Sequence, residues 1–360
     1  MAAAPLLAGC GAAAGPSAPP AASTSALAAA SQAVVDAARK EGEITLTFNP
    51  VLTAEDSEFP QWAEAFNKHY GLNLKVNYTS GPSMPQMAAK VSQEFQAQRP
   101  ASTDVWMGDP LSAIGLLKVD ALEPVDWSWS SALAGSKLVS EGGKLLEFEW
   151  QFPGITYNTD QLKGDAIPKS LADMLSASLK GKVASTPYAA QFDVLSTPEV
   201  WGEQKTLDYV AKLSTQASGL IPCGAVDRVA TGEFAAFALD CGSSFADLVK
   251  AKGGHLAHAI PSDAAMYYPL YLAVPRNAAH PNAAKLWAAF VDTPEAQRLL
   301  YKLSLNDHPL ISGSQSAAEY QRMANAGVKF TAADVAFRQR NNADKLDQLT
   351  RQMVGMFTKK

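Results

Sequence analysis

Residues 43–78 read EITLTFNPVLTAEDSEFPQWAEAFNKHYGLNLKVNY and carry the clearest structural pattern in the chain. Alternating apolar and polar residues predict strands at 43–48 and 73–78. Between them Trp62, Phe66 and His69 recur with helical spacing, which predicts a helix over 59–70. A strand, a helix and a second strand in this order predict a parallel sheet covered by a helix.

The same alternation continues to residue 118. Residues 85–98 and 111–118 predict helices, and residues 104–107 predict a short buried strand. In sheets of this kind, ligands bind beyond the carboxyl ends of the strands. We therefore expect a ligand-facing rim in the turns that end these strands. These turns cover residues 49–53, 80–84 and 108–111.

A second α/β unit follows along the chain. It opens with a predicted strand over 150–157 that Pro153 and Gly154 interrupt. Thr186, Pro187 and Tyr188 end a later strand and add another turn to the rim. The pattern predicts further strands at 182–185, 234–239, 255–260 and 267–275, and helices at 206–216, 245–252, 281–291 and 332–356.

The composition limits the class of protein. A chain of 360 residues corresponds to about two domains. A hydrophobic fraction of 47% and a charged fraction of 18% exclude disorder over most of the length. The net charge of −5 gives no electrostatic footprint for nucleic acid. No apolar run reaches the length of roughly 18 residues that a membrane-spanning helix requires.

The N-terminal segment differs in composition from the rest of the chain. Residues 1–35 contain no charged side chain, and residues 11–31 are rich in Ala, Gly, Pro and Ser, which predicts a flexible tether. Leu7, Ala8, Gly9 and Cys10 resemble a bacterial lipobox, in which a signal peptide is removed and the cysteine takes lipid, palmitate included. The alternative is an ordinary cysteine in low-complexity sequence.

A lipid anchor implies a location outside the cytoplasm, in the periplasm or at the cell surface, where disulfides persist. The two other cysteines, Cys223 and Cys241, are 18 residues apart and lie in the same α/β unit. One lipidated cysteine and one disulfide would account for all three. Two unpaired thiols are the alternative.

Known catalytic motifs are missing from the sequence. It contains no G-x-S-x-G, H-E-x-x-H, Walker A, C-x-x-C or EF-hand pattern. His255 and His258 are three apart, but on a strand this spacing places them on opposite faces, so we expect no metal site there. The sequence therefore favours a non-catalytic protein without a cofactor.

Several segments, in their order and spacing, resemble bacterial extracellular solute-binding proteins of ABC importers. The most similar group is the iron(III)-type branch, called family 1, which has the type II periplasmic-binding fold. The helix over 59–70 fits this family as well. The segments are VVDAARKEGEITLTF (34–48), PQMAAKVSQEFQAQ (85–98), DVWMGD (104–109), GITYNTDQL (154–162), VATGEFAAFAL (229–239) and YYPLYLAVPRNAAHPNAAKLWAAFVDTPEAQRLL (267–300).

This resemblance implies an α/β protein with two lobes joined by hinge crossovers. Each lobe would be a mostly parallel sheet flanked by helices. Residues 1–31 would be signal remnant and tether, residues 32–153 plus 268–360 the first lobe, and residues 154–267 the second. The ligand would bind between the lobes. The partners would be an ABC permease and its ATPase, with a monomeric protein attached to the membrane only through its lipid.

The resemblance leaves two ligand classes open. Iron-binding members use an adjacent tyrosine pair, and Tyr267 with Tyr268 is such a pair, so ferric ion is one candidate. This pair lies at the return crossover, however, and DCGSSF (240–245) occupies the interior of the second lobe. The pair would then be hinge residues, one ring buried and one at the cleft. We therefore expect a small organic anion with a phosphate, phosphonate or carboxylate group.

Backbone N–H groups at helix N-termini suit such an anion, and residues 80–84 and 243–245 are the candidates. Asp109 would accept a hydrogen bond from the ligand or, alternatively, cap its own helix. The expected ligand-binding residues are Asn49, Ser80, Gly81, Asp109, Thr186, Tyr188, Ser243, Tyr267 and Tyr268.

Two other classes of function remain open at this point. An enzyme on a similar two-lobed fold, such as a deaminase-like transferase, would show a perturbed acid or base pair in the cleft. A sensor that binds solute without transport would lack a neighbouring permease and ATPase.

Overall fold

The computed structural model describes Met1, residues 24–49, Leu52 and residues 55–358. Cys10 and most of the predicted tether therefore lie outside the described residues. Within the described part, the helices are α1 (Thr24–Glu41), α2 (Pro60–Tyr70), α3 (Met84–Gln96), α4 (Pro110–Lys118), α5 (Phe192–Leu195), α6 (Glu203–Gln216), α7 (Asp227–Ala230), α8 (Ser243–Ala251), α9 (Pro281–Val291), α10 (Pro294–Ser304), α11 (Ser316–Asn325), α12 (Val335–Arg340) and α13 (Ala343–Thr358).

The strands of the described residues alternate with these helices over most of the chain. They are β1 (Glu43–Phe48), β2 (Lys75–Ser80), β3 (Trp106–Gly108), β4 (Val139–Ser140), β5 (Leu145–Gln151), β6 (Ile155–Asn158), β7 (Val183–Ser185), β8 (Ala217–Leu220), β9 (Ala236–Ala238), β10 (Leu256–Ala259), β11 (Met266–Ala273) and β12 (Thr331–Ala332).

One group of strands contains β1 to β5, β11 and β12. β1 pairs in parallel with β2, while β11 lies between β12 and β5 and also pairs with β3. The buried Asp104 joins these two sheets, because its carboxylate accepts from Thr45 N and its N–H donates to Thr45 O, each at 2.7 Å. Trp62 and Trp287, on α2 and α9, are fully buried against β1. Their burial removes large apolar surfaces from water and stabilises this group.

The second group is a five-stranded sheet in the order β10-β6-β9-β7-β8. β9 lies at its centre, and β7 pairs in parallel with both β8 and β9. Ala184 on β7 and Phe237 on β9 are fully buried in a core between the sheet and α8. All five strands come from residues 155–259.

Two short segments connect the groups. Residues 152–154 lead from β5 in the first group to β6 in the second, and residues 260–265 return from β10 to β11. The C-terminal helices also contact the second group, because the buried Arg338 donates to Asp193 at 2.9 Å and Phe357 packs on Phe192. Two crossovers and the packing of the C-terminal helices therefore hold the two groups together.

The sheets differ from the expected topology in one respect. Among the described strands, four pairings are parallel and five are antiparallel, so the sheets are mixed rather than mostly parallel. The crossover strands cause this difference. β5 and β11 run antiparallel to each other, and so do β6 and β10. The reason is that the chain leaves and re-enters each sheet through two neighbouring strands, at the same end of both.

The predicted helix over 332–356 is also different in the structure. It divides into α12 and α13, with the break at Asn341 and Asn342. Asn342 has a φ of 63°, a left-handed conformation that a continuous helix cannot contain and that asparagine tolerates. In the described part of the chain, no helix combines the length and the apolar character needed to cross a membrane.

Candidate functional site

Tyr268 lies on β11 where the return crossover joins the first group of strands. Its ring is buried, and its hydroxyl donates to Cys241 O in the second group at 2.9 Å. Burial raises the pKa of Tyr268 well above its usual value, and the nearby Asp109 and Tyr188 raise it further. The structure therefore brings together three of the expected ligand-binding residues, Asp109, Tyr188 and Tyr268, from different parts of the chain.

Tyr188 forms the exposed side of this cluster, with 43% of its surface accessible. Its hydroxyl accepts from Cys223 N at 2.9 Å and lies 2.7 Å from Cys223 Sγ. A disulfide joins Cys223 to Cys241 in the structure, with their Cα atoms 5.6 Å apart. Tyr188, the disulfide and Tyr268 therefore form one continuous set of contacts.

The backbone around this cluster is unusual. Ala189, Gln191 and Leu239 have φ values of 50°, 62° and 49°, a left-handed region that non-glycine residues seldom adopt. Such conformations tend to occur at functional sites, where the surrounding structure holds them in place. Thr186 supports the same turn, because its buried hydroxyl accepts from Ala190 N at 2.9 Å.

The helix α8 begins beside Tyr268, with Ser243 as its first residue. Its N-cap is Gly242, and no side chain among the described residues caps its first turn. The two other helix ends on the predicted rim are occupied. A capping box of Ser83 and Gln86 closes α3, and the Asp109 carboxylate accepts from Leu111 N and Ser112 N at the start of α4. Asp109 therefore caps its helix, and the free N–H groups and positive dipole end of α8 suit an anion.

Asp240, which the sequence patterns did not single out as a site residue, holds together the first crossover, β6, β10 and the start of α8. This fully buried carboxylate accepts from Gly154 N at 2.9 Å, from Thr156 Oγ1 at 2.6 Å and from Gly242 N at 3.1 Å. His258 Nε2 lies 3.3 Å away. Burial alone would raise the pKa of Asp240, but His258 and these donors outweigh it and lower the pKa.

The sequence analysis also did not predict a role for two buried polar residues on β5. Glu149 and Gln151 share a face of β5 with Tyr268 on the paired strand, and they are 1% and 3% exposed. Burial raises the pKa of Glu149 to about 8, although hydrogen bonds from Asn306 and Gln151 lower it and Asp307 raises it. Within a run of buried strand residues, only their polarity signals a site.

Asn49, Ser80 and Gly81 lie together at the carboxyl ends of β1 and β2. Phe48 pairs with Ser80, and Gly81 N donates to Phe48 O at 2.9 Å. Gly81 has no room for a side chain, because a Cβ would lie 3.0 Å from Phe48 Cα. Among the described residues, no hydrogen bond connects these three to Tyr188 or Tyr268.

Tyr267 points away from Tyr268, as adjacent residues of a strand do. Its ring stacks on Trp150, with ring centroids 3.8 Å apart. The two phenols therefore do not converge on one point. Within the described part of the chain, no group of three or more His, Cys, Asp and Glu side chains is arranged to hold a metal ion. His255 pairs with Asp160 at the surface while His258 is buried beside Asp240, so these histidines do not converge either.

The sequence of this chain matches the model of a known protein family. The family is described as bacterial extracellular solute-binding protein, and its model matches residues 61–328. The chain belongs to this family. The resemblance to bacterial extracellular solute-binding proteins is thereby confirmed, and the function of this solute-binding protein is to capture a solute outside the cytoplasm.

Solved structures show the same two-lobed fold. A substrate-binding protein of an ABC transporter from Agrobacterium tumefaciens is 14% identical, with a TM-score of 0.71 over 89% of this chain and 96% of that one. Iron-bound HitA from Pseudomonas aeruginosa is 19% identical, with a TM-score of 0.67 over 86% and 99%. AfuA from Actinobacillus pleuropneumoniae, with fructose-6-phosphate bound, is 18% identical, with a TM-score of 0.67 over 89% and 99%. No curated protein matches the chain in sequence.

Proposed function

We propose that this solute-binding protein captures a small organic anion between its lobes and delivers it to an ABC permease and its ATPase. The observation that carries the proposal is the open N-terminus of α8 beside Tyr268, Tyr188 and the Cys223–Cys241 disulfide. Open N–H groups at a helix N-terminus bind phosphate, phosphonate or carboxylate oxygens. The protein would act as a monomer and without catalysis.

The lobes are proposed as residues 32–153 plus 268–360 and residues 154–267. The position of β6 to β10 within residues 155–259 supports this division. The two crossovers lie at its boundaries, and the candidate site lies beside both. Closing the lobes would remove water from the anion and strengthen its contacts with the α8 N–H groups.

Ferric ion is the second candidate ligand, because iron-bound HitA has a similar fold. The geometry favours the organic anion. A ferric site of the expected kind needs both phenols as ligands to one ion, whereas Tyr268 donates to Cys241 O and Tyr267 stacks on Trp150.

The membrane anchor is proposed on the lipobox resemblance around Cys10, which lies outside the described residues. The disulfide between Cys223 and Cys241 supports an oxidising location, since such bonds persist mainly outside the cytoplasm. Mass spectrometry of the N-terminal peptide from membranes would test the anchor. An unmodified Cys10 thiol would contradict it.

A thermal-shift screen tests the ligand class. The panel contains inorganic phosphate, sugar phosphates, phosphonates, carboxylic acids and ferric citrate, and bound ligand raises the melting temperature according to RT ln(1 + [L]/Kd). We expect at least one organic anion to stabilise the protein. Stabilisation by ferric citrate alone, with no response to citrate, would overturn the proposal in favour of iron.

Ser243→Asp then tests the place of binding. A carboxylate in the first turn of α8 would occupy the open N–H groups, and we expect anion affinity to fall about tenfold or more. Ser178→Asp is the matched control, because it adds the same charge at an exposed position in another part of the second group. Equal affinities in both variants would place the anion elsewhere.

A further inference from the structure

Gln151 carries a buried polar atom that is unsatisfied within the described part of the chain. The residue is 3% exposed, and its Oε1 has no hydrogen-bond partner among the described residues. A buried acceptor without a donor is costly and calls for an explanation, such as a bound molecule or a functional role. Its position on β5, directly before the first crossover, places it at the junction of the two groups of strands.

A hydrogen bond from its Nε2 fixes the orientation of the Gln151 side-chain amide. Its Nε2 donates to Glu149 Oε1, so Oε1 points away from Glu149. That direction leads to the start of α8, because a Cβ on Gly242 would lie 2.2 Å from Gln151 Oε1. Gly242 is the N-cap of α8, and only a residue without a side chain fits there. The unsatisfied acceptor and the open N–H groups of α8 therefore face the same place.

We propose that Gln151 is a specificity-determining residue that accepts a hydrogen bond from a hydroxyl group of the bound anion. The anionic group would lie on the N–H groups of α8, and the hydroxyl would reach Gln151 Oε1. The ligand class is therefore a hydroxylated organic phosphate, phosphonate or carboxylate. This inference rests on the proposed function and specifies the same site further.

The surroundings favour a hydroxyl over an ammonium group as the donor. Gln151 is neutral, and its partner Glu149 is held mostly in the neutral form near pH 7 because burial raises its pKa to about 8. The carboxylate of Asp240 is already paired with His258 and three hydrogen-bond donors. A ligand cation would therefore find no free negative charge here, while a neutral donor finds an open acceptor.

Isothermal titration calorimetry with matched ligand pairs tests the inference. The probes are lactate against propionate and glycerol phosphate against propyl phosphate, which differ only in hydroxyl groups. We expect the hydroxylated member of at least one pair to bind about tenfold tighter or more, because its analogue leaves Gln151 Oε1 unsatisfied. Gln151→Met, which keeps the length of the side chain and removes the acceptor, should abolish the preference.

Gln216→Met is the control for the loss of a buried glutamine. Gln216 donates to Ser176 O at 2.7 Å and lies near the start of β7, at the opposite end of that strand from Tyr188. This variant should keep the preference. Equal binding within both pairs by the unmodified protein would overturn the inference and leave anion capture intact. Binding of no member by a protein that ferric citrate stabilises would overturn both.

Discussion

Tyr267 and Tyr268 show how much two identical neighbours can differ. Both are tyrosines on β11, and the strand turns them to opposite faces. Tyr268 joins the two groups of strands through its hydrogen bond to Cys241 O. The Tyr267 hydroxyl has no hydrogen-bond partner among the described residues, and its ring packs on Trp150. The pair therefore serves the junction and the core rather than a single metal ion.

Replacing Tyr268 by Phe should lower the free energy of unfolding by about 1 to 2 kcal/mol, because Cys241 O loses its buried donor. Ligand affinity should fall as well, since Cys241 precedes the start of α8. Tyr267→Phe is the matched control and should change stability by less than about 0.5 kcal/mol. Urea denaturation and calorimetry measure both quantities. Equal losses in the two variants would contradict the role given to Tyr268.

At the scale of elements, the first crossover is packed against the end of β10, from which the second crossover starts. Gly154 in the first crossover lies so close to the end of β10 that a Cβ would be 2.5 Å from Ala259 O and 2.6 Å from the His258 ring. Asp240 binds Gly154 N and contacts His258. The relative position of β6, β10 and α8 therefore depends on the absence of a side chain at residue 154.

Gly154→Ala should force β6 and β10 apart at their shared end. We expect a loss of about 1 to 3 kcal/mol in unfolding free energy, typical of overpacked sites, together with weaker ligand binding. Gly115→Ala in α4 is the control, because nothing lies within 4 Å of its Cβ position and alanine favours helix. Denaturant titration of both variants measures the unfolding free energy. A Gly154→Ala protein as stable as the original would contradict the close packing.

Most elements were predictable from local pattern. The helix α9 has the predicted bounds, since Pro281 marks its start. β1 has them as well, since it buries every second residue. The strand over 150–157 was predicted with its interruption at Pro153 and Gly154. That its two halves join different sheets could not be predicted, because the pairing partners of a strand are distant in sequence.

At the scale of the whole molecule, the buried Glu149 makes stability depend on pH. Its pKa rises from 4.5 to about 8 on folding, mainly through burial. Below pH 4.5 both the folded and the unfolded protein bind this proton. Between 4.5 and about 8 only the folded protein retains it, so the free energy of unfolding decreases as pH rises through this window.

Glu149→Gln should remove this pH dependence. The variant should be more stable than the unmodified protein at pH 8 by a few kcal/mol, since one pKa unit corresponds to about 1.4 kcal/mol, and the difference should shrink towards pH 5. Glu64→Gln, at an exposed position of α2, is the control and should leave the curve unchanged. Denaturation at several pH values measures the effect. Parallel curves for Glu149→Gln and the original protein would contradict it.

The sequence alone determined the α/β class and most of the helices and strands, because periodicity is a local property. The two-lobed architecture and the family were implied by the resemblance of its segments to solute-binding proteins. The tertiary structure alone decided which side chains meet. Tyr188, Cys241 and Tyr268 come from three distant segments, and Gln151 and Asp240 show no motif in the sequence. The proposed site depends on the burial and orientation of these side chains and on the N-terminus of α8, which exist only after the chain has folded.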